Sequence, residues 1–131
     1  MTFTINRYSL DKHFISVGTL TISSEGQKTN LSFSDNIIEV SSSELYHPLV
    51  ALASLRLTLE KEYSSLIACN GCRRDTSYRP TGGYNTYLIV ACQQATKLMN
   101  MFNPTDQVEK LCTVDEHKMA YKDWLDSLSE N

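Results

Sequence analysis

With 131 residues, 41% hydrophobic and 21% charged, the chain has the size and composition of one globular domain, taken to span residues 1–131. A formal net charge of −3 excludes a global attraction to nucleic acid, and no apolar run approaches the roughly 18 to 20 residues that span a bilayer. Met1-Thr2-Phe3-Thr4 lacks the basic and then apolar pattern of a secretory signal, so the expected location is the cytoplasm.

The chain begins with β-type patterning. Phe3 and Ile5 alternate with Thr2, Thr4 and Asn6, and Phe14 to Ile22 alternates more clearly still, as half-buried strands do. Ser23-Ser24-Glu25-Gly26 reads as a turn, Thr29 to Ser34 as a third strand and Ile37-Ile38-Glu39-Val40 as a short fourth. The connections are too short for helical crossovers, which implies an antiparallel meander.

At Ser41-Ser42-Ser43-Glu44-Leu45 the pattern changes to a helix-entry signal, with Pro48 acceptable only in a first turn. Leu49, Leu52, Leu55 and Leu59 then recur at helical spacing up to Tyr63. Ala51 and Ala53 allow close approach, while Arg56, Glu60, Lys61 and Glu62 are assigned to the solvent side. This helix is expected to cover the apolar face of the sheet.

Ile67-Ala68-Cys69 reads as a buried strand that breaks at Asn70-Gly71. An exposed loop follows with Cys72, Arg73, Arg74, Asp75 and Gly82-Gly83, and Tyr87 to Val90 reads as the returning strand. The segment Ala95 to Phe102 is either a helical turn or an irregular packed segment, ended by Asn103-Pro104. Thr113-Val114-Asp115-Glu116 fits a capping box at the start of a terminal helix. That helix would dock through Met119 or Ala120, Tyr121, Trp124, Leu125 and Leu128, and present Asp115, Glu116, Asp123, Asp126 and Glu130 on its other side. From Thr105 onward acids outnumber bases seven to three, whereas the middle of the chain carries Arg56, Lys61, Arg73, Arg74 and Arg79. Such asymmetry can steer a charged partner to one face.

Cys69, Cys72, Cys92 and Cys112 are expected to be free thiols in a reducing compartment, with Cys69 and Cys92 packed as small hydrophobes. The Cys69-Cys72 spacing could supply half of a zinc site or a redox dithiol. His13, His47 and His117 offer no metal-ligand spacing to complete the first, and Arg73 to Ser77 offers no helix to activate the second. No phosphate-binding glycine loop or nucleophile elbow occurs, so neither cofactor nor catalysis is expected. A thiol enzyme built on Cys72 is a weaker alternative. So is a nucleic-acid contact made by Arg73, Arg74 and Arg79 beside Tyr78 and Tyr84, because arginine binds phosphate and tyrosine stacks on bases.

A Leu- and Ala-rich helix containing Leu55-Arg56 precedes Leu66-Ile67-Ala68-Cys69-Asn70-Gly71, then Arg73 and Asp75, a Gly-containing loop, a Tyr-containing strand and the ending Trp124-Leu125-Asp126-Ser127-Leu128. In this order the chain resembles small immunity-type proteins, the cytoplasmic partners of toxin C-terminal domains in bacterial contact-dependent growth inhibition and Rhs-type polymorphic toxin systems. The resemblance covers Pro48 to Tyr87 and the terminal helix, and departs from the group in the shorter loop Tyr78 to Gly83. It implies a protein without catalysis of its own that neutralises a cognate toxin domain, a nuclease, by blocking its active site or substrate access. An acidic inhibitor surface suits a basic, phosphate-binding toxin site. The expected partner-binding residues are Asp115, Glu116, Asp123 and Asp126, with Asp75, Arg73 and Arg74 as a second region. The expected fold is α+β: one antiparallel sheet formed by the meander and the Leu66 and Tyr87 strands, packed by the central helix and edged by the terminal one.

Overall fold

A computed structural model describes residues 1–45 and 47–129, apart from the side chains of residues 44 and 45, and within it the fold is α+β. Strands β1 (Thr2–Ser9), β2 (Phe14–Glu25), β3 (Lys28–Ser34) and β4 (Glu39–Leu45) form the antiparallel meander. Helix α1 (Pro48–Tyr63) follows, and β5 (Ser65–Ile67) returns to pair with β1, so the sheet order is β4-β3-β2-β1-β5. The Tyr87 strand does not join this sheet. It forms β6 (Asn85–Leu88), which pairs with β7 (Lys97–Asn100) in a separate two-stranded ribbon. Helix α2 (Val114–Ser129) closes the chain.

Alternation decides which face of the large sheet is covered. Ile5, Leu20, Ile22, Leu31, Phe33 and Val40 point inward against Leu49, Leu52, Leu55 and Leu59 of α1, and all of them are buried. Each large apolar side chain buried there contributes about 1.5 to 3 kcal/mol. Gly18 belongs to the same inward row, and a Cβ there would collide with the Phe33 ring and lie 2.9 Å from the Ser34 carbonyl oxygen. Only glycine leaves room for the ring against β2.

Several boundaries differ from expectation. Residues 23–25 continue β2, and the turn is confined to Gly26, at φ +61°, and Gln27. The fourth strand starts at Glu39 because the Asp35 carboxylate accepts the Ile37 and Ile38 amides, each at 2.8 Å, and folds that apolar pair into a turn. The serines expected to start the helix therefore lie in β4, where Ser42 donates to the Ala51 carbonyl of α1 at 2.7 Å. The helix cap is His47, whose Nδ1 accepts the Leu49 amide at 2.9 Å, with Pro48 in the first turn as its missing N–H requires. The ambiguous segment 95–102 contains strand β7 rather than a helical turn or irregular packing.

Candidate functional site

The chain leaves β5, makes a 3-10 turn at Asn70–Cys72 and enters the segment expected to carry function. The turn is held from below: Gly71 N donates to Met101 O at 2.7 Å and Asn70 N to Asn103 O at 2.9 Å. Beyond it, Arg74 N donates to Lys110 O, while Asp75 O accepts the Ile89 amide at 2.9 Å and Ser77 N donates to Tyr87 O at 2.8 Å. Residues 75–77 thus run alongside β6, and the loop is largely packed rather than exposed, with Gly71, Cys72, Thr76 and Ser77 buried.

Arg73 and Asp75 form a bidentate ion pair, Nε to Oδ1 at 2.8 Å and Nη2 to Oδ2 at 2.7 Å, across the turn. This planar fork fixes both side chains. Arg74 is exposed and spans to the Glu109 carbonyl at 2.7 Å, a carbonyl that Lys12 also reaches at 2.9 Å.

Helix α2 supplies the facing wall. Its N-terminus is the expected capping box: Glu116 Oε1 accepts the Thr113 amide at 2.9 Å and Thr113 Oγ1 accepts the Glu116 amide at 3.2 Å. The Thr113 amide donating to its carboxylate, aided by the nearby Thr113 hydroxyl, holds the Glu116 carboxyl below its ordinary range against the opposing effect of burial. Only part of the expected apolar stripe docks. Ala120, Tyr121, Trp124 and Leu128 are half-buried, whereas Met119 is 67% and Leu125 43% exposed. Trp124 Nε1 donates to the carbonyls of Val90 and Gln93, each at 3.0 Å, and so holds the loop between β6 and β7 against the helix.

Two of the expected regions come together here. Arg74 and Asp75 from the loop and Asp123 from α2 line a depression of about 290 Å³ whose remaining wall and floor are Ile89, Ala91, Ala120 and Trp124. Trp124 also borders a second cleft of about 380 Å³, where it meets Arg79, Tyr87 and Tyr121, and the Tyr121 ring stacks on it at 5.7 Å. Asp126 lies one turn beyond Asp123 and pairs with Lys122 at 3.2 Å in full solvent. Asp115 and Glu116 are exposed at the start of the helix, and Glu130 lies outside the described residues. The aromatic residues of the basic loop have other neighbours: Tyr78 packs edge-on to His117 and Tyr84 edge-on to Phe102.

Beneath the loop lies a polar cluster that the sequence reading missed. Arg56, placed on the solvent side of α1, is 3% exposed. Its guanidinium donates to Gly71 O at 3.2 Å, Cys112 O at 3.0 Å and His117 Nδ1 at 2.9 Å. Because Arg56 can only donate, His117 Nδ1 accepts, and the Nε2–H faces the Thr76 carbonyl at 2.9 Å. Burial, reinforced by the Arg56 charge, lowers the His117 pKa to about 3, so the ring is neutral. Glu60, also assigned to solvent, is half-buried and accepts the Val114 amide at 3.0 Å, joining α1 to the first turn of α2.

All four cysteines are free thiols. Cys69, Cys72 and Cys112 are buried, but Cys92 is exposed in a turn at φ +65°, not packed in a strand. Among the described residues, no group of three His, Cys, Asp or Glu side chains is placed to hold a metal ion. No described helix is long and apolar enough to cross a membrane. Comparison with family models, curated proteins and solved structures finds no match to this chain.

Proposed function

We propose that this chain is a cytoplasmic immunity-type protein, without catalysis of its own, that binds a cognate toxin domain and blocks its active site or substrate access. The observation that carries this reading is the depression shared by Arg74, Asp75, Asp123 and Trp124. An apolar floor with a charged rim and a tryptophan at its edge is the anatomy of a protein-binding surface, in which a few aromatic and arginine side chains dominate affinity. The acidic excess of the C-terminal part of the chain suits a basic partner, such as a nuclease domain that grips phosphate. Asp123 and Asp126 are exposed on α2, where charges act mainly on association rate. Asp115 and Glu116 extend the acidic face toward the loop.

The test is capture of the tagged chain's partners from the lysate of its own organism, eluted under denaturing conditions and identified by mass spectrometry. A stoichiometric fragment from the end of a very large secreted protein supports the reading. Recovery of nucleic acid, in amounts that fall steeply with salt, would replace it with a nucleic-acid contact at Arg74 and Arg79.

A further inference from the structure

Cys69 and Cys72 sit at the two ends of the 3-10 turn, which is closed by the Cys72 amide donating to the Cys69 carbonyl at 3.0 Å. Their Sγ atoms are 3.3 Å apart, a little over 1 Å beyond the ~2 Å of a disulfide bond. The third buried thiol is differently placed: Cys112 Sγ contacts the Cys72 carbonyl at 3.6 Å and Arg56 Nη2 at 3.9 Å. The Arg56 guanidinium bonds to the Gly71 and Cys112 carbonyls, and its charge acts on the three sulfurs and on the Glu60 carboxylate of the same helix. Burial opposes ionisation of both members of the pair, but the contact with Cys69 and the nearby guanidinium make Cys72 the more acidic, while Cys69 is pushed up and holds its proton. Burial also pushes Cys112 up, to about 11.

The pair lies close to an open groove. Asn70, which follows Cys69, Arg73, which follows Cys72, and Pro104, which bridges to Cys69, all line a groove of about 680 Å³. The sulfurs themselves do not line the groove: Cys69 is 0% and Cys72 2% exposed, so an oxidant reaches them when the turn opens locally.

We propose that Cys69 and Cys72 are a reversible dithiol that a hydroperoxide closes into a disulfide, with Cys72 as the attacking thiol. The Cys72 sulfur attacks the peroxide, an S–O bond forms, the O–O bond breaks, and the departing oxygen takes up a proton as an alcohol or water. The Cys69 sulfur then gives up its proton and attacks Cys72, an S–S bond forms, and the S–O bond breaks with loss of water. Two electrons pass from the thiols to the peroxide, and a dithiol reductant restores the pair. The closed disulfide fixes the turn that carries Arg73, Arg74 and Asp75. It acts on the chain alone, independently of any partner.

The experiment uses the full chain with Cys92→Ser, which removes the exposed thiol, treated under native conditions with hydrogen peroxide. The expected result is loss of two hydrogens by intact-mass analysis, a Cys69–Cys72 link in the peptide map, a raised Tm, and reversal of all three by dithiothreitol. Adding Cys69→Ser should convert the product to a sulfenic acid at Cys72 that dimedone traps. Cys112→Ser should leave the link intact. Both thiols remaining fully alkylatable after denaturation, at peroxide exposures that oxidise Cys92 in the natural chain, would overturn the proposal. A link to Cys112 would overturn it equally.

Discussion

Arg7 and Asp35 hold together four segments that are distant in sequence. Arg7 Nε donates to the Asp35 carboxylate at 2.8 Å and Nη1 to Ser65 Oγ at 2.8 Å, while Ser16 and the Ile37 and Ile38 amides also donate to Asp35. Burial alone would raise the Asp35 carboxyl, but these four sets of hydrogen bonds outweigh it and hold the group well below the ordinary carboxylate range. Asp35→Asn leaves the Arg7 guanidinium buried without its counter-charge, and we expect a loss of about 3 to 5 kcal/mol in denaturant unfolding. A loss below about 1 kcal/mol would mean that water replaces the carboxylate. His117 sets a second, pH-dependent effect. Its folded pKa of about 3 lies below the ordinary 6.5, so the unfolded chain binds the proton first. Stability is therefore fully present above pH 6.5 and falls as pH drops toward 3, by about 1 kcal/mol per pH unit from this group. Denaturant midpoints measured from pH 7 to pH 4 should show that slope, and His117→Asn should flatten it; an unchanged slope would assign the acid lability to other groups. Both buried cations were partly legible. Arg7 continues the inward alternation of Phe3 and Ile5, and Arg56 stands four residues after Leu52 and three before Leu59, on the apolar stripe. Charge argued for solvent, and position decided for the interior.

At the scale of elements, the strongest periodicities gave the most faithful readings. The Leu stripe of α1, the meander and the capping box at Thr113 all stand as read. Thr113→Ala removes one of the two reciprocal bonds at the start of α2, with an expected cost of about 0.5 to 2 kcal/mol. Because Trp124 and Tyr121 line the clefts from that helix, the loss should also appear as increased amide exchange across Val114 to His117; an exchange pattern identical to that of the natural chain would show that Glu60 alone anchors the helix. The misread elements share weak local signals. The serine run of β4 is compatible with a cap or a strand, and its fate is set by Asp35 capturing the preceding turn and by Ser42 bonding to α1. Strand β7 belongs to a ribbon with only two strands and is half exposed along its length, so Lys97 to Asn100 carries little alternation to read. Whether the Tyr87 strand joins the large sheet depends on a pairing that lies 11 residues along the chain, between Tyr87 and Leu98 in the register of β6 and β7, and local patterning does not encode it.

Over the whole molecule, folding brings into one face residues that the sequence reading had placed in two separate regions. The loop and the terminal helix lie about 50 positions apart in the chain, yet Asp75 and Asp123 line the same depression. Charge excess pointed to the helix and the Asn70-Gly71 break pointed to the loop, but their meeting required the packing of α2 through His117 and Trp124. The remaining acidic positions, Asp115, Glu116 and Asp126, are arranged along the same helix without entering the depression. The most direct test of partner binding through this face is a parallel capture from lysate with the natural chain and with Asp123→Lys/Asp126→Lys as bait. Both positions are exposed, and among the described residues the only ion pair lost is the solvated one to Lys122, so the variant should keep its fold. We predict that the natural chain retains a stoichiometric toxin-type fragment and that the charge-reversed chain loses at least about 90% of it at low salt, as expected for a tenfold or greater loss of affinity. Equal recovery by both baits would contradict the placement of the interface, and recovery of no such fragment by either would contradict the immunity reading itself.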